Sequence, residues 1–238
     1  MIDAVIICAG GTGSRLAPLT TAVNKHLLPF GRKPVLSHAV DFAHSLSDRV
    51  CVVTSPEAVG SIAKAAKGCF LAVQAEPNGV GGAIKATKHF SVYGGSTLVL
   101  LADNLYDREN REIISQACAD ATDYTTCFVK RVDNPTNYGV LYLDEDGKPS
   151  AAVEKPTRPS SDLAITGAYI FDKNLLDYLT FTKLSARGEY EVTDLLNAAL
   201  SHDQLTYTYL NGSWVDIGGS VEDYMKYAIA SELSERFN

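Results

Sequence analysis

The sequence has no apolar run near the roughly 20 residues that a bilayer-spanning helix requires. Its best candidates, Ala4 to Ala9 and Thr97 to Ala102, are strand-sized, so no membrane role is expected. A secretory signal is missing too: MIDAVIICAGG has no basic start and no long apolar segment, and it carries a glycine turn where cleavage would fall. There is no CxxC pair. Cys8, Cys51, Cys69, Cys118 and Cys127 are odd in number and sit mostly in apolar stretches, the usage of reduced core thiols in a cytoplasmic protein. Nor is there a basic surplus: 21 Lys plus Arg face 28 Asp plus Glu, a net charge of −7 and a pI near 5.2. Nucleic-acid binding driven by overall charge is thereby disfavoured. Linker-like stretches, internal repeats and low-complexity segments are absent.

What is present suits an ordinary globular protein, with 46% hydrophobic and 21% charged residues. Short apolar runs alternate with helical patterns through the first hundred residues. Strands are expected over Asp3–Cys8, Arg49–Thr54, Cys69–Gln74 and Thr97–Ala102, and helices over Val35–Leu46, Val59–Lys67 and Ala83–His89. Ser55 before Pro56 reads as a helix start, with serine capping and proline in the first turn. Such alternation predicts a parallel sheet.

After Asp103 the texture becomes mixed or antiparallel. A helix over Asn110–Asp120 precedes strands at Tyr124–Val132, Val140–Leu143, Ala151–Glu154 and Ala164–Phe171, with DEDGKP at 144 to 149 as a hairpin turn. Further helices are expected at Lys173–Leu179, Val192–Leu200 and Val221–Glu235, and strands at Leu205–Leu210 and Trp214–Asp216. The expected class is α/β, with a mixed, mainly parallel central sheet flanked by helices. A single domain over residues 1–238 is expected, with a nucleotide-binding half over about 1–105 and a second half over 106–238 completing the pocket.

The chemistry begins just after the first strand. Gly10, Gly11 and Gly13 in AGGTGSR let backbone N–H groups approach phosphate oxygens at the carboxyl edge of a parallel sheet. The pattern is neither a Rossmann fingerprint, whose third glycine is replaced by Arg15, nor a P-loop. Alone it could be a tight turn, but Arg15 adds a bidentate phosphate donor. Lys25, held between this loop and Pro29, is a second phosphate partner or else a solvated surface charge. Asp103 at the end of STLVLLAD and Asp216 in GSWVDIGG are strand-end carboxylates that fit Mg²⁺ coordination, which takes hard oxygens and substrate phosphates. A helix cap or turn is the plainer alternative for Asp103. VEKP, TGAY and SARGEYEVTD mix charge, aromatics and small residues in a way that suits a hydroxyl-rich phosphorylated ligand. Within them, Glu191 and Asp194 read equally as helix-start carboxylates, and Tyr138 and Tyr169 as core aromatics.

Together these strings resemble the sugar-1-phosphate nucleotidyltransferase family, most closely the glucose-1-phosphate thymidylyltransferases. The motifs that carry the resemblance are AGGTGSRL, NKHLLPF, QAEPNGVGGA, LADN, NPTNYGV, VEKP, ITGAY, SARGEYEVTD and WVDIG, in order over almost the whole chain. The resemblance implies a Rossmann-like fold, a nucleoside triphosphate and a sugar 1-phosphate as substrates, and Mg²⁺ as cofactor. It implies that Arg15 and Lys25 hold the triphosphate on the glycine loop and that Gly10, Gln74 and Gly79 meet the base. Asp103 and Asp216 would bind Mg²⁺. Tyr138, Gly139, Glu154, Gly167 and Tyr169 would line the sugar pocket, with Lys155 and Arg187 on the sugar phosphate.

Thymidylyl-type members commonly carry Leu and Gln where this chain has Val80 and Gly82, which leaves the base open between thymidylyl, uridylyl and cytidylyl transfer. The chain ends at Asn238, before the helices that carry the family's oligomer contacts and regulatory nucleotide site, so a homo-oligomer is implied only as an option. A catalytically silent nucleotide-sugar sensor is the alternative from another class, and such a paralogue would be expected to have lost Arg15, Lys25 or an aspartate. A glycosyltransferase is not favoured, since Asp103 is followed by Asn104 and Leu105 rather than completing a DxD motif.

Overall fold

The computed structural model describes residues 2–90, 95–121 and 123–229. The first half runs β1 (Ala4–Ala9), β2 (Pro29–Phe30), β3 (Lys33–Pro34), α1 (Val35–His44), β4 (Val50–Thr54), α2 (Val59–Ala65), β5 (Phe70–Val73), α3 (Gly79–Ala86) and β6 (Thr97–Leu101). The second half runs β7 (Asn104–Tyr106), α4 (Arg108–Ala119), β8 (Thr125–Arg131), β9 (Gly139–Leu143), β10 (Pro149–Glu154), β11 (Leu163–Phe171), α5 (Leu175–Phe181), α6 (Val192–Ser201), β12 (Leu205–Tyr209), β13 (Trp214–Asp216) and α7 (Val221–Ile229). Two 3-10 turns, Ser14–Leu16 and Lys25–Leu27, lie between β1 and β2.

The apolar run AVIICA is buried almost throughout, as suits a strand covered on both faces. β1 lies at the centre, parallel to β4 and β6, and the order across the sheet is β10-β9-β11-β6-β1-β4-β5, with β8 joined to β11 and β12. The mixed, mainly parallel sheet expected from the sequence is thus observed, its parallel part being β6-β1-β4-β5. Alternate residues serve opposite layers. Val5 and Ile7 pack with α1, α2 and α4, through residues such as Leu36, Ile62 and Ile114. Ile6 packs with Ile84, Leu175 and Leu195 from α3, α5 and α6.

One irregularity positions the site. Antiparallel β11 pairs with β9 at Ala164 and Ile165, then with β6 from Ala168 to Phe171. Thr166 and Gly167 fall between the two ladders, and the ligand-sized cleft opens there. A third small core, Leu16, Leu28, Phe30, Leu105, Val215, Ile217 and Tyr224, ties the first loop to β7, β13 and α7. Tyr224 reinforces it by donating its hydroxyl to the Pro29 carbonyl at 2.7 Å.

Three local expectations change. Ser55 and Pro56 do not open α2: residues 56–58 form a turn and the helix starts at Val59, without a side-chain cap. α3 starts at Gly79, four residues before the expected Ala83. The last helix is described only to Ile229, and the expected extension to Glu235 lies outside the described residues. Among the described residues no helix is long and apolar enough to cross a membrane, and all five cysteines are free, with Cys8 and Cys69 only half-buried.

Candidate active site

The glycine loop leaves room for two long side chains. A Cβ on Gly11 would lie 3.0 Å from Lys25 Cε and Nζ, and one on Gly10 would lie 2.8 Å from Gln74 Oε1. Gly13 has φ +74 and caps the first 3-10 turn, a left-handed conformation that glycine adopts without strain. Its carbonyl accepts from Thr20 Oγ1 at 2.7 Å. Gly13 does not line the cleft: a Cβ there would meet Lys25 Cβ at 2.8 Å, so it shapes the loop under Lys25. The other sequence-predicted residues, from Arg15 to Asp216, all line one cleft of about 290 Å³.

At one end Lys25 Nζ pairs with Asp103 Oδ2. Burial pushes the Asp103 carboxyl up, but the Lys25 charge and the Asn104 amide (Nδ2 to Oδ1, 3.1 Å) together hold it well below the usual carboxylate range. Asp216 is brought opposite by the β13–β7 pairing, which sets it against Asn104. Burial and the neighbouring Asp103 charge push Asp216 up to about 6, against Lys25, the Gly218 N–H (2.8 Å) and Arg15. Gly218 marks the gap between them: a Cβ there would lie 2.8 Å from Asp103 Oδ2 and 3.2 Å from Asp216 Oδ1. Two half-buried carboxylates face one lysine across a small space, an excess of negative charge that accounts for the raised Asp216. This donor set fits Mg²⁺ completed by water or phosphate oxygens. Among the described residues no group of three or more His, Cys, Asp or Glu forms a fuller metal cage.

Arg15 stands exposed at the rim of this end and pairs with no carboxylate among the described residues. His26, buried beside Lys25, is pulled down to about 3 by burial and by the lysine charge. It stays neutral and adds no positive charge.

Beside the aspartates Tyr138 packs its ring on Trp214, centroids 5.1 Å apart. Trp214 Nε1 donates to Asn104 Oδ1 at 2.6 Å. Gly167 is what admits Asn104, since a Cβ there would sit 2.6 Å from Asn104 Cγ. Gly139 is less tight, a Cβ there lying 3.1 Å from Thr193 Cγ2 and 3.4 Å from Glu154 Oε2. Tyr169 is buried, and burial raises its hydroxyl well above the ordinary value, so it meets the cleft as a neutral wall. Lys155, at φ 42, approaches Glu154 at 3.7 Å. Arg187 gathers three carboxylates: Glu154 at 3.0 Å, Glu189, and Glu191 at 3.5 Å. Glu191 stands at the start of α6 with Asp194 in its first turn, as the helix-start reading expects, but its side chain makes no cap bond and turns to Arg187 instead. Burial pushes its carboxyl up, while Ser185 at 2.7 Å and Arg187 oppose that.

The cleft thus gathers Arg15, Lys25, Lys155 and Arg187 with two paired aspartates in an acidic protein. The family model described as nucleotidyl transferase matches residues 4–232. The chain belongs to the nucleotidyl transferase family. Among curated relatives, the glucose-1-phosphate thymidylyltransferase of Neisseria meningitidis is 33% identical over 224 residues, 90% of this chain and 77% of that protein. The bifunctional protein GlmU of Methanocaldococcus jannaschii is 32% identical over 219 residues, 91% of this chain and 51% of that protein. This nucleotidyl transferase chain therefore spans about half the length of such GlmU relatives. A solved structure described as a glucose-1-phosphate thymidylyltransferase of Bacillus anthracis in complex with sucrose is 31% identical, with TM-score 0.82 over 99% of this chain and 96% of that one. A UDP-glucose pyrophosphorylase complexed with UDP-glucose superposes with TM-score 0.83 at 24% identity over 98% of this chain and 100% of that one, a likeness of fold.

Sequence reasoning missed several residues of this nucleotidyl transferase site. Asn104, Trp214, Glu189 and His26 line the cleft, and Asn78 stands just behind it, bonded to Gln74 at 2.9 Å. The signal available for Asn104 and Trp214 was their place beside Asp103 and Asp216. Nothing in spacing points to Asn78, whose place depends on the side chain that Gly82 lacks, or to Glu189, one of three carboxylates that Arg187 gathers.

Proposed function

We propose that the chain, acting as one domain, transfers a nucleotidyl group from a nucleoside triphosphate, in the first instance dTTP, to a sugar 1-phosphate, in the first instance glucose 1-phosphate. The products are a nucleoside diphosphate sugar and pyrophosphate. The observation that carries this reading is the convergence of four cationic side chains and two carboxylates on one cleft. The relatives named as glucose-1-phosphate thymidylyltransferases support it.

In the proposed reaction an oxygen of the sugar phosphate attacks the α-phosphorus. The bond to the bridging oxygen breaks, and its electron pair leaves on pyrophosphate. The attacking oxygen is already anionic at neutral pH, so no general base is needed. The barrier is the repulsion between two polyanions, about 4 kcal/mol for unit charges at 4 Å and an effective dielectric near 20. Arg15 and Lys25, with the glycine loop, hold the triphosphate, and Gly10, Gln74 and Gly79 meet the base. Tyr138, Gly139, Glu154, Gly167 and Tyr169 bound the sugar. Lys155 and Arg187 hold its phosphate, Arg187 leaving part of its carboxylate shell to do so. Asp103 and Asp216 would hold Mg²⁺, which when bound supplies charge neutralisation at the phosphates. Catalysis is then proximity and preorganised charge.

Pyrophosphate release from dTTP, UTP, CTP, ATP and GTP, each with glucose 1-phosphate and Mg²⁺, tests the proposal. Turnover fastest with dTTP supports it. Release from none of the five contradicts it, and release fastest with UTP moves it to uridylyl transfer.

A further inference from the structure

Gln74, nearly buried at 7% exposure, follows β5 with its backbone N–H bonded to Thr54 O at 2.9 Å. Its side-chain amide is fully committed on the nitrogen side. Nε2 donates to Asn78 Oδ1 at 2.9 Å and to the Gly79 carbonyl at 3.0 Å. A backbone carbonyl can only accept, so Gly79 settles which end of the amide faces it. Both N–H groups are then spent, and Oε1 is left as an acceptor directed over Gly10, 2.8 Å from where a Cβ would lie there.

Asn78 is itself fixed. Tyr190 N–H donates to the Asn78 carbonyl at 2.8 Å, and the Tyr190 carbonyl accepts from Gly81 N–H at 2.9 Å. The Asn78 carboxamide occupies space that exists only because residue 82 is glycine: a Cβ on Gly82 would lie 1.7 Å from Asn78 Oδ1 and 2.9 Å from Gln74 Nε2. Any side chain at 82 displaces the carboxamide.

Resting on the nucleotide reading above, we infer that Asn78, seated in the space left by Gly82, is a positioning residue that locks the Gln74 amide with its oxygen toward the base. The edge that meets Gln74 must then bring a donor. Uracil and thymine offer N3–H at the centre of that edge, where cytosine presents a lone pair and carries its donor only on the exocyclic N4, off that centre. A site built around a fixed hydrogen bond rejects the ligand that cannot complete it. Without Asn78 the amide keeps only the Gly79 carbonyl as its anchor and turns more readily, which relaxes the choice.

The test is calorimetric titration of the full chain with UTP, dTTP and CTP in the presence of Mg²⁺, together with the KM of each substrate. Wild type is expected to bind UTP and dTTP about tenfold or more tighter than CTP. Asn78→Ala should reduce that ratio to about threefold or less and raise the KM for nucleotide more than that for the sugar 1-phosphate. Asn78→Asp, which keeps an acceptor oxygen in place, should restore the ratio. Gly82→Ala should reproduce Asn78→Ala, and the double variant should be no worse than either single one, since all three lose the same anchor. Asn78→Ala and Asn78→Asp alter one carboxamide and Gly82→Ala adds one buried methyl, and melting curves check that each variant folds. CTP binding as tightly as UTP in wild type, or a preference unchanged in Asn78→Ala and Gly82→Ala, overturns the inference and leaves the proposed function standing. Failure of wild type to bind any of the three nucleotides overturns both.

Discussion

At the scale of single residues, the cleft places like charges side by side. Asp216 is pushed up to about 6 from an ordinary 3.8 because it is buried next to Asp103. Its native pKa lies above its unfolded one. The native state therefore keeps a proton that the unfolded chain has lost, and metal-free stability falls as pH rises from about 4 through about 6. Asp216→Asn removes that cost. In chelator, the variant is expected to be more stable than wild type at pH 8, by an amount on the order of 2 kcal/mol, with the gap closing toward pH 4. Urea unfolding at both pH values measures this, and a variant less stable than wild type at pH 8 contradicts it. A stabilising change at such a position is the expected signature of a residue kept for function.

Which residues were legible follows the same logic. Arg15, Lys25, Asp103 and Asp216 stood out because glycine loops and strand ends advertise themselves in sequence. Gly13 differs from its neighbours in ways that sequence does not show, since a glycine shaping a loop and a glycine facing a phosphate look alike; its φ of +74 and its closeness to Lys25 set it apart. Asn78 was invisible because its role depends on a side chain that residue 82 does not have.

At the scale of elements, the apolar strands β1, β4 and β6 could be read directly, since burial on both faces leaves a continuous hydrophobic signature. α3 could not be read to its start. Glycine is a poor helix former, and GVGG adopts the first turn because it is laced to Tyr190, with Gly81 N–H bonded to the Tyr190 carbonyl at 2.9 Å. Ser55 shows the converse, a good local cap signal overridden when residues 56–58 close a turn first. α7 makes its own contribution by clamping the loop that carries Lys25, through the hydroxyl of Tyr224 on Pro29. Tyr224→Phe is expected to cost about 1 kcal/mol, the net worth of one hydrogen bond. Thermal unfolding checks it, and an unchanged midpoint shows that the clamp contributes nothing.

At the scale of the whole molecule, one sheet spans both halves and forks along β11, so the glycine loop of the first half faces the carboxylates and cations of the second. The alternation of texture along the sequence announced both halves but not the fork, which arises from where β9 and β6 part company on a single long strand. The scaffold behind the fork is tightly filled: Ile6, fully buried on β1, packs on the layer of α3, α5 and α6. Ile6→Ala is expected to destabilise by about 2–5 kcal/mol, read as a lower denaturant midpoint, and a cost below about 1 kcal/mol would contradict this packing.

The central claim is that preorganised charges in this cleft let two mutually repelling anions react. Steady-state pyrophosphate release by Arg15→Ala and Asp103→Ala, at saturating substrates and Mg²⁺, tests it most directly. The account predicts a kcat lower by about 10²-fold or more for each, while turnover within a few-fold of wild type in either variant contradicts it.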